Sequence, residues 1–133
     1  MAKILVIDDD AVVRETIVQV LQEVGYEVLT AEDGVRGMAL FRSAQPDLVI
    51  TDLIMPEKEG LQTITEMLKA TPDAKIIAIS GGARIGTMDF LKIAEVLGAM
   101  DALRKPFDPE ELLTTVKNCL ARSAPGANPE KAT

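Results

Sequence analysis

The sequence predicts an α/β fold: five successive βα units forming a doubly wound, five-stranded parallel sheet with helices on both faces. Two observations carry this. Apolar runs such as Ile4-Leu5-Val6-Ile7, Leu48-Val49-Ile50 and Ile76-Ile77-Ala78-Ile79 are continuous, as in strands covered on both faces, and do not alternate with polar residues. Between them lie longer segments with helical apolar spacing, and such alternation calls for right-handed crossovers and a parallel sheet.

The elements follow in order. After the strand Ile4–Ile7, Asp10 is placed to cap a helix through Val24, with Val13, Ile17, Val20, Leu21 and Val24 on its inner face and Gly25 as a left-handed stop. Tyr26–Ala31 reads as a second strand. A helix from about Asp33 to Ser43 buries Met38, Leu40 and Phe41, and Pro46 ends that pattern. Leu48–Thr51 is the third strand, ending at Asp52, with Pro56 and Gly60 marking the loop beyond. A helix over Leu61–Ala70 is closed by Thr71-Pro72, and Lys75–Ile79 is the fourth strand. Gly81-Gly82 opens a mobile loop, followed by a helix from about Thr87 to Leu97 that stops at Gly98. Met100–Leu103 is a short fifth strand. Asp108-Pro109-Glu110-Glu111 then starts the last helix, which runs to about Ala121, with a capping acid, a first-turn proline and acids at the positive dipole end.

With 133 residues and 47% of them hydrophobic, the chain has the size and core of one domain, expected over 1–122. Residues 123–133 lack large apolar side chains and read as a disordered tail with no output domain. The net charge of −7 disfavours a nucleic-acid or anionic-membrane partner. No apolar run approaches the roughly 18 residues of a membrane span, and Met1-Ala2-Lys3 leads directly into a strand. A single cysteine, Cys119, fits a reducing, cytoplasmic setting. The absence of histidine excludes Ser-His-Asp chemistry and His-ligated zinc, and means the chain is no phosphohistidine donor.

Asp8-Asp9, Asp52, Ser80 and Lys105-Pro106 each sit where a predicted strand ends. In an open parallel sheet those ends share one edge, where ligands bind. Three carboxylates, a hydroxyl and an ammonium on that edge suit a divalent cation and a phosphoryl group. Clustered carboxylates resist full ionisation unless a cation neutralises them, and magnesium is suited to few carboxylates completed by water and phosphate oxygens. Taken singly, each of these residues would by default be a turn, cap or solvated residue.

The motifs Ile-Leu-Val-Ile-Asp-Asp-Asp at 4–10, Asp-Leu-Val-Ile-Thr-Asp-Leu-Ile-Met-Pro at 47–56, Gly60, Ile-Ser at 79–80 and Lys-Pro-Phe at 105–107, in this order, resemble the receiver domain of bacterial two-component response regulators. The resemblance covers about residues 3–121 and looks like the stand-alone, single-domain type. It implies the flavodoxin-like strand order 2-1-3-4-5. It implies Asp52 as phosphoacceptor and Mg2+ (or Mn2+) held by Asp9, Asp52 and the carbonyl of Ile54, with Asp8 acting largely through water. Ser80 would be the switch hydroxyl and Lys105, turned inward by a cis Lys-Pro turn, the cation paired with Asp52. Asp10 should cap its helix and Arg104 should point away. Such a protein is no conventional enzyme; it catalyses only its own Mg-dependent phosphorylation and dephosphorylation. The implied partners are a histidine kinase or histidine phosphotransfer protein, docking near Val12, Thr16, Pro106 and Phe107, and a downstream protein. A monomer is expected, with dimerisation through the fourth and fifth helices open to the phosphorylated state.

Three departures stand out. Many receivers carry Tyr or Phe where this chain has Ala102, so switching by ring rotation is in doubt, with Met100 or Phe90 as packing substitutes. The stretch from Ser80 to Lys105 is 25 positions, longer than usual, through Gly81–Gly86, where Arg84 is either solvated or near the phosphoryl site. Ile54 and Gly82 bring no polar side chain to orient a hydrolytic water. Two other readings compete. In a haloacid dehalogenase-like phosphatase, Asp8 and Asp10 would be nucleophile and acid, but Val12 replaces the expected hydroxyl and Asp52 has no role. In an inactive receiver-like scaffold, Ala102 would be the telling residue. If bulky Ile54 shields the phosphoryl group, Ile54→Asn releases phosphate faster than the parent in a time course; equal rates discard the idea.

Overall fold

The structure, a computed structural model, describes residues 2–53, 60–80, 84–85 and 88–122, with backbone only for residue 60, 84–85, 88–91 and 93. Its elements are β1 (Lys3–Ile7), α1 (Ala11–Glu23), β2 (Glu27–Ala31), α2 (Gly34–Ala44), β3 (Leu48–Asp52), α3 (Gly60–Ala70), β4 (Ile76–Ser80), β5 (Arg84–Ile85), β6 (Met88–Asp89), α4 (Phe90–Leu97), β7 (Asp101–Arg104) and α5 (Pro109–Ala121). The main sheet has the order β2-β1-β3-β4-β7, all parallel. Since β7 is the fifth predicted strand, this is the expected 2-1-3-4-5 arrangement.

The continuous apolar strands divide their side chains between two layers. Ile4 and Val6 of β1, Leu48 and Ile50 of β3, and Ile77 and Ile79 of β4 pack with Ile17 and Leu21 of α1 and Leu112, Val116 and Cys119 of α5. Leu5, Ile7, Val49, Ile76 and Ala78 face the other way, onto Met38, Phe41, Ile64, Met67 and Ala94 of α2, α3 and α4. Each fully buried Ile or Leu contributes about 1.5–3 kcal/mol relative to exposure. A strand loaded on both faces is therefore stiff and well fixed in register, which positions its last residue.

Local signals set the helix ends. The Asp10 side chain accepts from Val12 N and Val13 N, Asp33 from Arg36 N, and Asp108 from Glu111 N. Gly25 closes α1 at φ 95° and Gly98 follows α4 at φ 119°, in the left-handed region that favours glycine.

Three expectations are corrected. Val24 is 47% exposed: α1 ends at Glu23, so Val24 is the C-terminal cap and not part of the inner seam. Leu40 is only half-buried, because Met38 and Phe41 occupy the buried side of α2. The fourth helix starts at Phe90, not Thr87. Met88–Asp89 instead pairs antiparallel with Arg84–Ile85 in a second, two-stranded sheet. The tail beyond Arg122 lies outside the described residues.

Helix α2 lies so close to β1 that a Cβ on Gly37 would overlap the Cδ1 and Cγ1 atoms of Ile7, which is fully buried and immediately precedes Asp8. Exchanging a helix-interior glycine for alanine ordinarily stabilises by roughly 0.5–1 kcal/mol. Here Gly37→Ala is expected to cost about 1–3 kcal/mol through overpacking. Urea unfolding checks the sign, and a gain in stability would contradict the close packing.

Candidate functional site

The carboxyl ends of β1, β3, β4 and β7 meet along one edge. The register aligns Ile7 with Thr51, Asp52 with Ile79 and Ser80 with Arg104, so Asp8, Asp52, Ser80 and Lys105 fall at the ends of neighbouring strands. Backbone bonds extend the sheet past its last pairs: Asp8 N donates to Ala31 O at 3.1 Å, Leu53 N to Ile79 O at 3.0 Å and Lys105 N to Ser80 O at 2.7 Å. Lys105-Pro106 is a cis peptide.

Asp8 is 0% exposed, Asp52 6% and Ser80 1%, whereas Asp9 is exposed. Carboxylate oxygens of Asp8, Asp9 and Asp52 lie within 4.8 Å of one another. The Lys105 ammonium stands 3.2 Å from Asp8 Oδ2 and 3.4 Å from Asp52 Oδ2. Burial of the ammonium alone would lower its pKa; Asp52 and then Asp8 outweigh that and raise it above the ordinary lysine value. Lys105 thus stays charged near neutrality, and one cation serves two buried acids.

Asp8 Oδ2 is fully buried without a well-aligned hydrogen bond, and the Lys105 ammonium faces it as an ion pair at 3.2 Å. Asp8 Oδ1 accepts from Asp10 N at 2.9 Å. An unsatisfied buried carboxylate oxygen beside two further carboxylates is an all-oxygen donor set of the type that hard divalent cations take. The residues present therefore fit magnesium.

The profile of the response regulator receiver domain matches residues 4–117. The chain belongs to the response regulator receiver family. It is 38% identical over 126 residues to the DNA-binding transcriptional regulator NtrC of Azospirillum brasilense, covering 95% of this chain and 26% of that protein. It is 34% identical over 132 residues to response regulator MprA of a Mycobacterium species, covering 96% of this chain and 54% of that regulator. The receiver thus spans about half or less of the length of these relatives. A receiver domain protein from Clostridium thermocellum superposes with a TM-score of 0.81 at 35% identity, over 90% of this chain and 94% of that one. The Vibrio cholerae chemotaxis protein CheY4 superposes with a TM-score of 0.80 at 31% identity, over 90% and 98%. The chain is accordingly a receiver domain of two-component response regulators, a family of phosphorylation-activated signalling switches and not of conventional enzymes. Receivers bind Mg2+ through an acidic pocket and interact with histidine kinases and downstream effectors. Among the described residues no helix is long and apolar enough to cross a membrane.

The remaining expected residues fall as follows. Ile54, Gly82 and the rest of 81–83 lie outside the described residues, as does the Arg84 side chain. Arg104 is exposed. Ala102 is half-buried, aligned with Ala78, and packs against the layer that holds Ala94 and Ala99. Val12 (73% exposed), Thr16 and Pro106 are open to solvent, while Phe107 and Val13 are half-buried and Ile17 is core. These residues and Lys105 line one groove of about 420 Å³, with little polar surface.

Sequence reasoning paired Lys105 with Asp52 alone and missed Asp8 as its second partner. The clue was that a strand-end lysine opposite two strand-end acids can reach both. Without metal, Lys105→Met strands two buried acids. Removing one partner of a buried pair costs about 3–5 kcal/mol; with 22% of the lysine side chain exposed we expect about 1–3 kcal/mol. Urea denaturation in a chelator measures it, and adding Asp8→Asn should recover a good part of the loss. A lysine variant as stable as the parent would exclude this account of the pair.

Proposed function

We propose that Asp52 is the phosphoacceptor of a Mg2+-dependent switch, loaded by a histidine kinase or histidine phosphotransfer protein. The observation that carries the reading is Lys105 Nζ set between Asp8 and Asp52, beside the unsatisfied Asp8 oxygen. An Asp52 carboxylate oxygen attacks phosphorus, forming an O–P bond as the bond to the donor's nitrogen breaks and the imidazole leaves with the electron pair. Asp9 and Asp52, with the Ile54 carbonyl and a water-mediated Asp8 as the resemblance implies, would hold a Mg2+ or Mn2+ ion, which would neutralise charge on the transferred group. Lys105 moves its contact from the Asp52 carboxylate to a phosphoryl oxygen, and Ser80 donates its hydroxyl to another. Hydrolysis by the same groups resets the switch.

Val12, Thr16, Pro106 and Phe107 are proposed as the docking face for the donor's helical domain. Their groove opens beside Lys105, and a partner seated there covers apolar area next to the acceptor. A reducing cytoplasm fits the buried Cys119, whose thiol pKa is pushed up by burial. Asp10 counts against the dehalogenase-like alternative: its side chain is engaged in capping α1 and not in the acid cluster.

Incubation with acetyl phosphate or phosphoramidate and magnesium, followed by intact-mass and peptide mapping, tests the reading. We expect one labile phosphoryl group, absent from Asp52→Asn and blocked by a chelator. An unmodified parent that still binds magnesium would instead support the scaffold reading and turn attention to Ala102.

A further inference from the structure

We infer that Arg14 is a positioning residue that sets the direction in which Asp9 presents its carboxylate to the cation. This rests on the magnesium reading of the acid cluster and extends it to a residue outside that cluster.

The Arg14 side chain reaches back from the first turns of α1, and its Nη1 donates to the main-chain carbonyl of Asp8 at 2.7 Å. That carbonyl lies just past the last paired residue of β1, Ile7, and precedes the helix, so neither ladder claims it. The adjoining groups of Asp8 are held by others: its N–H by Ala31 O, its Oδ1 by Asp10 N and its Oδ2 by the charge of Lys105. The Arg14 amide meanwhile donates to Asp10 O at 2.9 Å, so this one residue fastens the loop on both sides of Asp9.

Asp9 itself is exposed and has no hydrogen bond or ion pair among the described residues. Its Cα–Cβ direction is inherited from the Asp8-Asp9 peptide plane, and the orientation of that plane is what the guanidinium holds. Arg14 is half-buried and lines a pocket of about 490 Å³ together with Thr30, Glu32 and Arg36, so water could replace it at the carbonyl without a core collapse.

Positioning and simple electrostatics give opposite signs. A guanidinium near an acidic cation site repels the cation, so its removal on charge grounds tightens binding. As a clamp on the acid-bearing loop, its removal weakens binding through lost preorganisation.

Isothermal titration with Mg2+ of the full chain, its Arg14→Met and Arg14→Lys variants and an Asp9→Asn control decides between them, with melting in chelator run alongside. We expect Arg14→Met to weaken Mg2+ binding about 3–10-fold with little change in metal-free melting. Arg14→Lys, which keeps the charge but shortens and unforks the donor, should weaken it about 2–3-fold. Unchanged or tighter binding in Arg14→Met overturns the inference. Should that variant not fold, unchanged binding in Arg14→Lys does the same. A parent that binds no Mg2+ sinks the magnesium reading itself, an outcome distinct from a parent that binds and variants that match it.

Discussion

The constraint on which the site depends is a charge imbalance at a buried sheet edge. Asp8, Asp9 and Asp52 bring oxygens within 4.8 Å of one another, and each such pair repels by at least about 3.5 kcal/mol at an effective dielectric near 20. Lys105, at 3.2 and 3.4 Å from two of them, attracts each by about 5 kcal/mol on the same basis. The lysine therefore roughly offsets the mutual repulsion, and the cost of burying Asp8 and Asp52 comes on top of it. A second, divalent positive charge is what such a site lacks. The receiver family's dependence on Mg2+ follows from this arithmetic as much as from its chemistry.

Holding like charges together demands a frame that does not yield. The two apolar layers provide it, because β1, β3 and β4 are buried on both faces and cannot twist away to separate their ends. The contact of Gly37 with Ile7 locks β1 at the residue before Asp8. Backbone bonds from Asp8 to Ala31, from Leu53 to Ile79 and from Lys105 to Ser80 carry that rigidity one residue beyond the strands, to where the acids stand.

This explains what was legible in the sequence. Strand ends could be read because apolar runs stop abruptly at Asp8, Asp52 and Ser80, and parallel topology brings such ends together without any knowledge of contacts. The caps Asp10, Asp33 and Asp108 were equally local. What escaped depended on geometry between elements: the reach of Lys105 to Asp8, the Arg14 guanidinium on the Asp8 carbonyl, and the approach of α2 at Gly37. Met88–Asp89 was misread as helix because its apolar spacing continues into α4, and pairing with Arg84–Ile85 overrode it. Val24 was assigned to the core from its helical phase, which holds only while the helix continues.

The α4 side of the sheet constrains how a receiver of this composition can switch. Ala78, Ala94, Ala99 and Ala102 make that layer shallow, and a methyl group has no second rotamer in which to record a change of state. Position 102 thus cannot relay a movement of Ser80 as a ring would. Main-chain bonds link the elements around Ser80: its carbonyl accepts from Lys105 N, while Met100 N donates to Ile76 O and Ala99 N to Ala94 O. These bonds tie β4, β7 and α4 into one hydrogen-bonded unit. A displacement of the Ser80 end of β4 must then either carry the Lys105 end of β7 with it or break the 2.7 Å bond between them. That bond couples the backbone of Ser80 directly to that of Lys105 at the carboxyl edge of the sheet.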